Sequence, residues 1–338
     1  MTGSLATQID LVAVRLDANG NMLWNPVYRV VSSAAKDQTE QVMATDDADG
    51  TIIAWRDDRS LTRPDIYALR LMADGTFAPG WPASGTVVSN LARSQYTPAI
   101  ERDGAGGAWI AWTDERDTLS GPDLYFTHIL ASGSFAAGFA ATGRVLCNAA
   151  GSQTGLKITR DGSGGFFAVW LDARDGETDL YAQHVNASGN PTAGWAAGGN
   201  PVCTEGSPQA QAAVSWVSNG RAIAAWKDAR TGTDIVYAAA LDAARGVLDG
   251  PRVASGRLSL AAGANPTRGA VELRLDSPDG GEVTVTLYDV SGRVQAEQVV
   301  AGPTHAASVR FAGLRPGLYF ANATRGGVRA GARVAVTR

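Results

Sequence analysis

An all-β chain is what this sequence predicts: copied four-stranded units, then a smaller β unit of a different kind. Three observations predict it. A Trp-x-Asp-x-Arg cluster recurs at nearly constant spacing. The strands that carry it are apolar on both faces. The recurrence stops after Ser255, where the charge balance also reverses.

The cluster reads AWRDDR at 54–59, AWTDER at 111–116, VWLDAR at 169–174 and AWKDAR at 225–230. Trp55, Trp112, Trp170 and Trp226 are separated by 57, 58 and 56 positions. A fixed period of this length is the mark of a repeat architecture. Each copy opens with Gln and a strand that runs into a Gly-rich turn, as in SQYTPAIERDGAGG at 94–107. The second strand follows (TIIAW, AWIAW, FFAVW, AIAAW) and ends in the cluster. The third is DIYALRL at 65–71, DLYFTHI at 123–129, DLYAQHV at 179–185 and DIVYAAAL at 234–241. A turn with an aromatic at its tip comes next, at Trp24, Trp81, Phe139 and Trp195. A short fourth strand closes the unit, as in RVLCNA.

The second strands do not alternate, so both their faces must be covered. Small antiparallel sheets stacked face to face around an axis satisfy this, which is the β-propeller. Residues 98–149 resemble a blade of TolB-type, WD-repeat-like propellers: PAIERDGAGGAWIAWTDERD, then DLYFTHILASG, in that order. The resemblance covers about residues 8–254 and implies a fold, without an activity. The count is uneven. Four full repeats follow a leading third-and-fourth-strand pair at 10–32, and no first-and-second-strand half follows residue 241 to close a ring. The sequence reads as an N-terminally truncated propeller, with a strained or open ring as the alternative.

Residues 255–338 read as a separate β-sandwich of short alternating strands such as VELRL and VTVTLYDV. Asn265-Pro266, then LYDVSGRVQ at 287–295 and LRPGLYFAN at 314–322, resemble the C-terminal sorting domain of type IX secretion cargo and the related FlgD-type Ig-like domain. That resemblance implies export to the medium or outer cell surface, with the secretion machinery as partner of residues 255–338 and residues 1–254 as passenger.

Composition narrows the function. Residues 256–338 hold ten Arg against six Asp and Glu; the first 255 hold 19 basic against 27 acidic residues. An acidic main body argues against a nucleic-acid surface. No apolar run reaches the roughly 20 residues of a membrane-spanning helix. Two cysteines and three histidines without metal spacing argue against zinc. Asp46-Asp47-Ala48-Asp49-Gly50 resembles part of a calcium loop, but the matching turns lack clustered acids, so a polar hairpin turn is favoured and no cofactor is expected.

The candidate site residues are the repeated pairs Asp57 and Arg59, Asp114 and Arg116, Asp172 and Arg174, Asp228 and Arg230. A group present in every unit serves what every unit needs, so these are read first as structural brackets. A ring of charge that binds a ligand is the second reading. His128 and His184 share a third-strand position with Arg15 and Arg70 and are read as packing or surface groups. Cys147 and Cys203 share a column with Ser32 and Ser89, as small buried residues or as a disulfide between blades. No catalytic residue is singled out. The favoured function is a non-enzymatic binding or scaffold propeller for extracellular polysaccharide or protein. The alternatives are a secreted hydrolase or lyase acting on polysaccharide, which would need acids out of step with the repeat, and a purely structural surface protein.

Overall fold

The computed structural model describes residues 8–60, 62–117, 121–230, 232–248, 252–253, 258–263, 265–277, 282–301, 304–325 and 328–337. Among these there is no helix, and the chain divides into two compact units, Met1–Pro251 and Arg252–Arg338. The boundary expected at 254/255 lies outside the described residues.

The first unit is a row of antiparallel blades. Leu11–Val14 pairs with Tyr28–Ser32 as a leading half blade. The first full blade is Gln38–Thr45, Thr51–Asp57, Asp65–Leu71 and Thr86–Ser89, in sequence order across the sheet. The second begins with Gln95–Arg102 and Ala108–Asp114, the third with Gln153–Arg160 and Phe166–Asp172, the fourth with Gln209–Ser218 and Arg221–Asp228. Neighbouring blades pack chiefly through their first strands, which places those strands innermost. Second and third strands are buried along almost their whole length in the first three blades, as their unbroken apolar runs require.

Each first strand carries a β-bulge at one column, with left-handed backbone at Glu40, Thr97, Gly155 and Gln211. A bulge bends its strand and raises the local twist, so the same deformation is built into each blade where it meets its neighbours. The aromatic tips link blades. Trp24 Nε1 donates to Ala73 O at 3.0 Å and Trp81 Nε1 to Ala131 O at 3.0 Å, each in the following blade. The ring of Phe139 has no N–H and packs against Gly189 instead.

Four full blades and a half do not close a ring among the described residues. The column Ile52, Trp109, Phe167 is wholly buried against the following blade, whereas its fourth-blade member Ile223 is 45% exposed. At the other end Val12, Val14 and Tyr28 of the half blade are also exposed. The fourth blade departs in register as well. An extra residue in DIVYAAAL sets Asp228 opposite Ile235 and leaves Asp234 outside the ladder, 2.7 Å from Lys227.

The second unit is a β-sandwich. Ser259–Ala262, Ala270–Ser277 and Thr304–Ala312 form one sheet. Thr267–Arg268, Val328–Thr337, Gly317–Arg325, Val283–Asp289 and Val294–Val300 form the other. Alternate residues Val271, Leu273 and Leu275 meet Val283, Val285 and Leu287 in its core. Asn265 donates to Arg333 O at 2.9 Å and accepts from Ala335 N at 3.0 Å, so the Asn-Pro step ties down the last strand.

Candidate functional site

The eight residues singled out by the repeat form four copies of one bracket at one end of the blades. Trp55 Nε1 donates to Asp57 Oδ2 at 2.8 Å; Trp112 and Asp114, and Trp170 and Asp172, repeat the bond at 2.9 and 2.8 Å. The Arg two positions on folds back over the same carboxylate in all four blades. Its guanidinium lies on the ring of the third-strand Tyr, 3.9 Å from Tyr67, 3.6 Å from Tyr125, 3.9 Å from Tyr181 and 4.2 Å from Tyr237. It also reaches the preceding blade: Arg59 to Ser32 Oγ, Arg174 to Cys147 Sγ at 3.3 Å, Arg230 to Cys203 Sγ. Burial pushes the carboxyls of Asp172 and Asp228 up, but hydrogen bonds from Arg174 and Arg230 outweigh it and hold both below the ordinary aspartate range. Each of these carboxylates is buried and held by the Arg of its own blade. In the fourth blade Ser207 Oγ donates to Asp228 at 2.8 Å, while Trp226 Nε1 has no hydrogen-bond partner among the described residues.

Cys147 and Cys203 are free buried thiols beside these brackets, at hydrogen-bonding range of Asp172 and Asp228 respectively. Burial pushes the Cys147 thiol up to about 11. A thiol that stays protonated is a poor nucleophile.

A second repeated pair lies at the opposite end of the sheets, roughly 20 Å away along the strands. Asp46, Asp103 and Asp161 each cap the turn between first and second strands. Asp103 accepts from Ala105 N at 2.7 Å and Gly107 N at 2.9 Å, and Asp161 from Ser163 N and Gly165 N. A Cβ on Gly107 would stand 2.6 Å from Asp103 Oδ2, so the turn needs glycine there. The third strand supplies the partner: Arg70 Nε at 2.9 Å from Asp46, His128 Nε2 at 2.8 Å from Asp103, His184 Nε2 at 3.0 Å from Asp161. His128 also stacks on Trp109, with centroids 4.1 Å apart. The fourth blade lacks both partners: its turn is Ser218-Asn219-Gly220 and its third strand has Ala240. The acid-rich turn at Asp46–Asp49 is thus engaged by protein groups, Asp46 with Arg70 and Asp47 with Arg102. Among the described residues no group of three or more His, Cys, Asp or Glu is arranged to hold a metal ion.

The turns of the four blades frame a cleft of about 490 Å³. Its chemistry comes from Arg102, Arg160, Trp216 and Asn219, with Asp47 at one edge and glycine backbone between. Arg102 pairs with Asp47. The Arg160 guanidinium lies 4.3 Å from the Trp216 ring centroid. These residues escape a search for what repeats. Their signal is the reverse: the position ten before the blade Trp reads Thr45, Arg102, Arg160 and Trp216, a column that varies inside an otherwise regular unit. The repeated Asp-Arg brackets do not enter this cleft.

No curated protein matches the chain in sequence. Among solved structures, a protein of unknown function from Dyadobacter fermentans shares 12% identity over 89% of this chain and 95% of that one, with a TM-score of 0.42. An endo-arabinase from Bacteroides thetaiotaomicron shares 12% over 85% and 90%, with a TM-score of 0.32. An alpha-L-arabinofuranosidase of Fusarium graminearum, solved with arabinobiose, shares 10% over 87% and 91%, with a TM-score of 0.34. Likenesses this loose carry no argument about what the chain does. The TolB-type and FlgD-type readings stand as resemblances of sequence. The tail is different: residues 264–336 match the family model of the secretion system C-terminal sorting domain, and such a tail implies export.

Proposed function

We propose that the chain is an exported, non-enzymatic binding or scaffold propeller, carried out of the cell by its C-terminal sandwich and binding through the cleft at the turn end of its blades. One observation carries the reading. The carboxylates placed at that cleft, Asp47 and Asp103, are already held, by Arg102 and by His128 with two turn amides. Glycoside hydrolysis needs two carboxyl groups facing one bond, one of them free to lose and regain a proton. Asp103 fails this on chemistry: burial pushes its carboxyl up, yet His128 and the turn amides hold it below the ordinary range, which suits a fixed charge rather than a proton shuttle. The sorting tail supports the other half of the reading.

The test has two arms. The chain is expressed in a host with a type IX system, with and without residues 252–338, and assayed in medium and surface fractions. The purified chain is then incubated with arabinan, dextran and polygalacturonate while reducing ends are counted. Export that depends on the tail, together with retention of a polymer without new reducing ends, is expected. Release of reducing ends with turnover overturns the non-enzymatic reading. Equal export of both forms overturns the role of the tail.

A further inference from the structure

The cleft allows a sharper statement, which rests on the binding reading above. We infer that it takes a carboxylate of an acidic polysaccharide, gripped by Arg160, with Trp216 holding the guanidinium flat.

Among the described residues Arg160 is an arginine without a carboxylate. Every bracket Arg has its Asp, Arg70 has Asp46 and Arg102 has Asp47. Arg160 makes no ion pair among the described residues and is held by the face of Trp216 instead. Stacking fixes the plane of a guanidinium and leaves its edge N–H groups unused. A planar fork of donors held in a cleft matches a carboxylate, which accepts two parallel hydrogen bonds. The surrounding protein is acidic, so a guanidinium there with no ion pair among the described residues selects for an anionic group against a background that repels stray anions.

Geometry points to a polymer. The cleft is framed by turns of successive blades, and glycines Gly104, Gly162, Gly164 and Gly165 keep its floor low. A Cβ on Gly162 would stand 2.4 Å from Asn219 Oδ1 and 3.2 Å from Trp216 Nε1, so glycine there lets Trp216 and Asn219 come in from the next blade. Asn219 then offers an amide to sugar hydroxyls in the same cleft as Arg160. The first blade has Thr45 where the third has Arg160 and the fourth Trp216, which gives the cleft a direction.

The test is affinity electrophoresis and calorimetry on the full chain with three probes: polygalacturonate, dextran sulfate and neutral dextran. Arg160→Ala, Arg160→Lys and the exposed-site control Lys157→Ala are compared, with melting curves to establish folding. Polygalacturonate is expected to bind in preference to both other polymers. Arg160→Ala should weaken it by roughly tenfold or more. Arg160→Lys should recover only part, because an ammonium lacks the fork. Lys157→Ala should bind as the parent does. Equal binding of dextran sulfate makes this a general anion site and overturns the carboxylate assignment. Binding of all three polymers, unaffected by Arg160→Ala, overturns the role of Arg160 and leaves the binding reading standing. Retention of none of them overturns both. New reducing ends in the same tubes overturn the non-enzymatic reading alone, since dependence on Arg160 is scored separately.

Discussion

At the scale of residues the blades are held by buried carboxylates that an arginine of the same blade brackets. Asp172 accepts from Trp170 Nε1 at 2.8 Å, Arg174 N at 3.0 Å and Arg174 Nε at 2.9 Å. Asp172→Asn keeps the shape but removes the charge and leaves a half-buried guanidinium without its carboxylate. The expected cost is about 2–4 kcal/mol in denaturant unfolding. Acid should act on the same groups. The carboxyls of Asp46, Asp103, Asp161, Asp172 and Asp228 are held below their ordinary value in the fold. Their contribution is therefore complete above the unfolded value and is lost as pH falls through the folded ones. Burial raises Asp65 and Asp179 instead, with the neighbouring carboxylates adding to it. Those two cost stability when charged and relieve the fold slightly as they protonate. A melting temperature that is flat or slightly rising from neutral to about pH 5, then falls steeply below about pH 4, is the expected profile. A steady decline from neutral pH would contradict it. The bracket residues were legible because they repeat. Their partners were not: Arg174 reaches a cysteine 27 positions upstream in another blade, and Asp161 a histidine 23 positions on. Only the fold brings such residues together.

At the scale of elements, the copied blade makes its own controls. Ile52 and Ile223 occupy one column, three residues before the blade Trp, yet Ile52 is fully buried and Ile223 is 45% exposed. Ile52→Ala should cost about 2–5 kcal/mol and Ile223→Ala less than about 1 kcal/mol, read by chemical denaturation. Equal costs would show that something covers the fourth blade in solution. The bulge column offers a second comparison. Gln211 has φ 51° with an exposed side chain, where the third blade already uses Gly155. Gln211→Gly should be neutral or stabilise by up to about 1 kcal/mol, since relief of left-handed strain offsets the added freedom of the unfolded chain. Loss of more than that would mean the Gln side chain holds the bulge. Blade strands were legible in the apolar runs to within a residue or two. The bulges were not, because Glu40, Thr97 and Gln211 are not residues that announce left-handed backbone. The cleft was hidden for a related reason: looking for sameness conceals a column whose content lies in its differences.

At the scale of the whole molecule, two units of opposite net charge have separate cores, one of stacked blades and one of a sandwich. The sandwich is small, and a domain of that size has little stability to lose. Asn265 makes two backbone hydrogen bonds to the final strand, at Arg333 O and Ala335 N. Asn265→Ala removes both, at a cost of about 1–2 kcal/mol. For a domain of 60–100 residues each kcal/mol moves the transition by about 4–8 °C. The expected calorimetric trace has two transitions, of which Asn265→Ala lowers one by roughly 5–15 °C and leaves the other in place. The same variant should reach the medium in reduced amount, because the sorting tail is the part that weakens. If both transitions moved together, the two units would unfold as one, and the tail could not be treated as a module that carries an independent passenger.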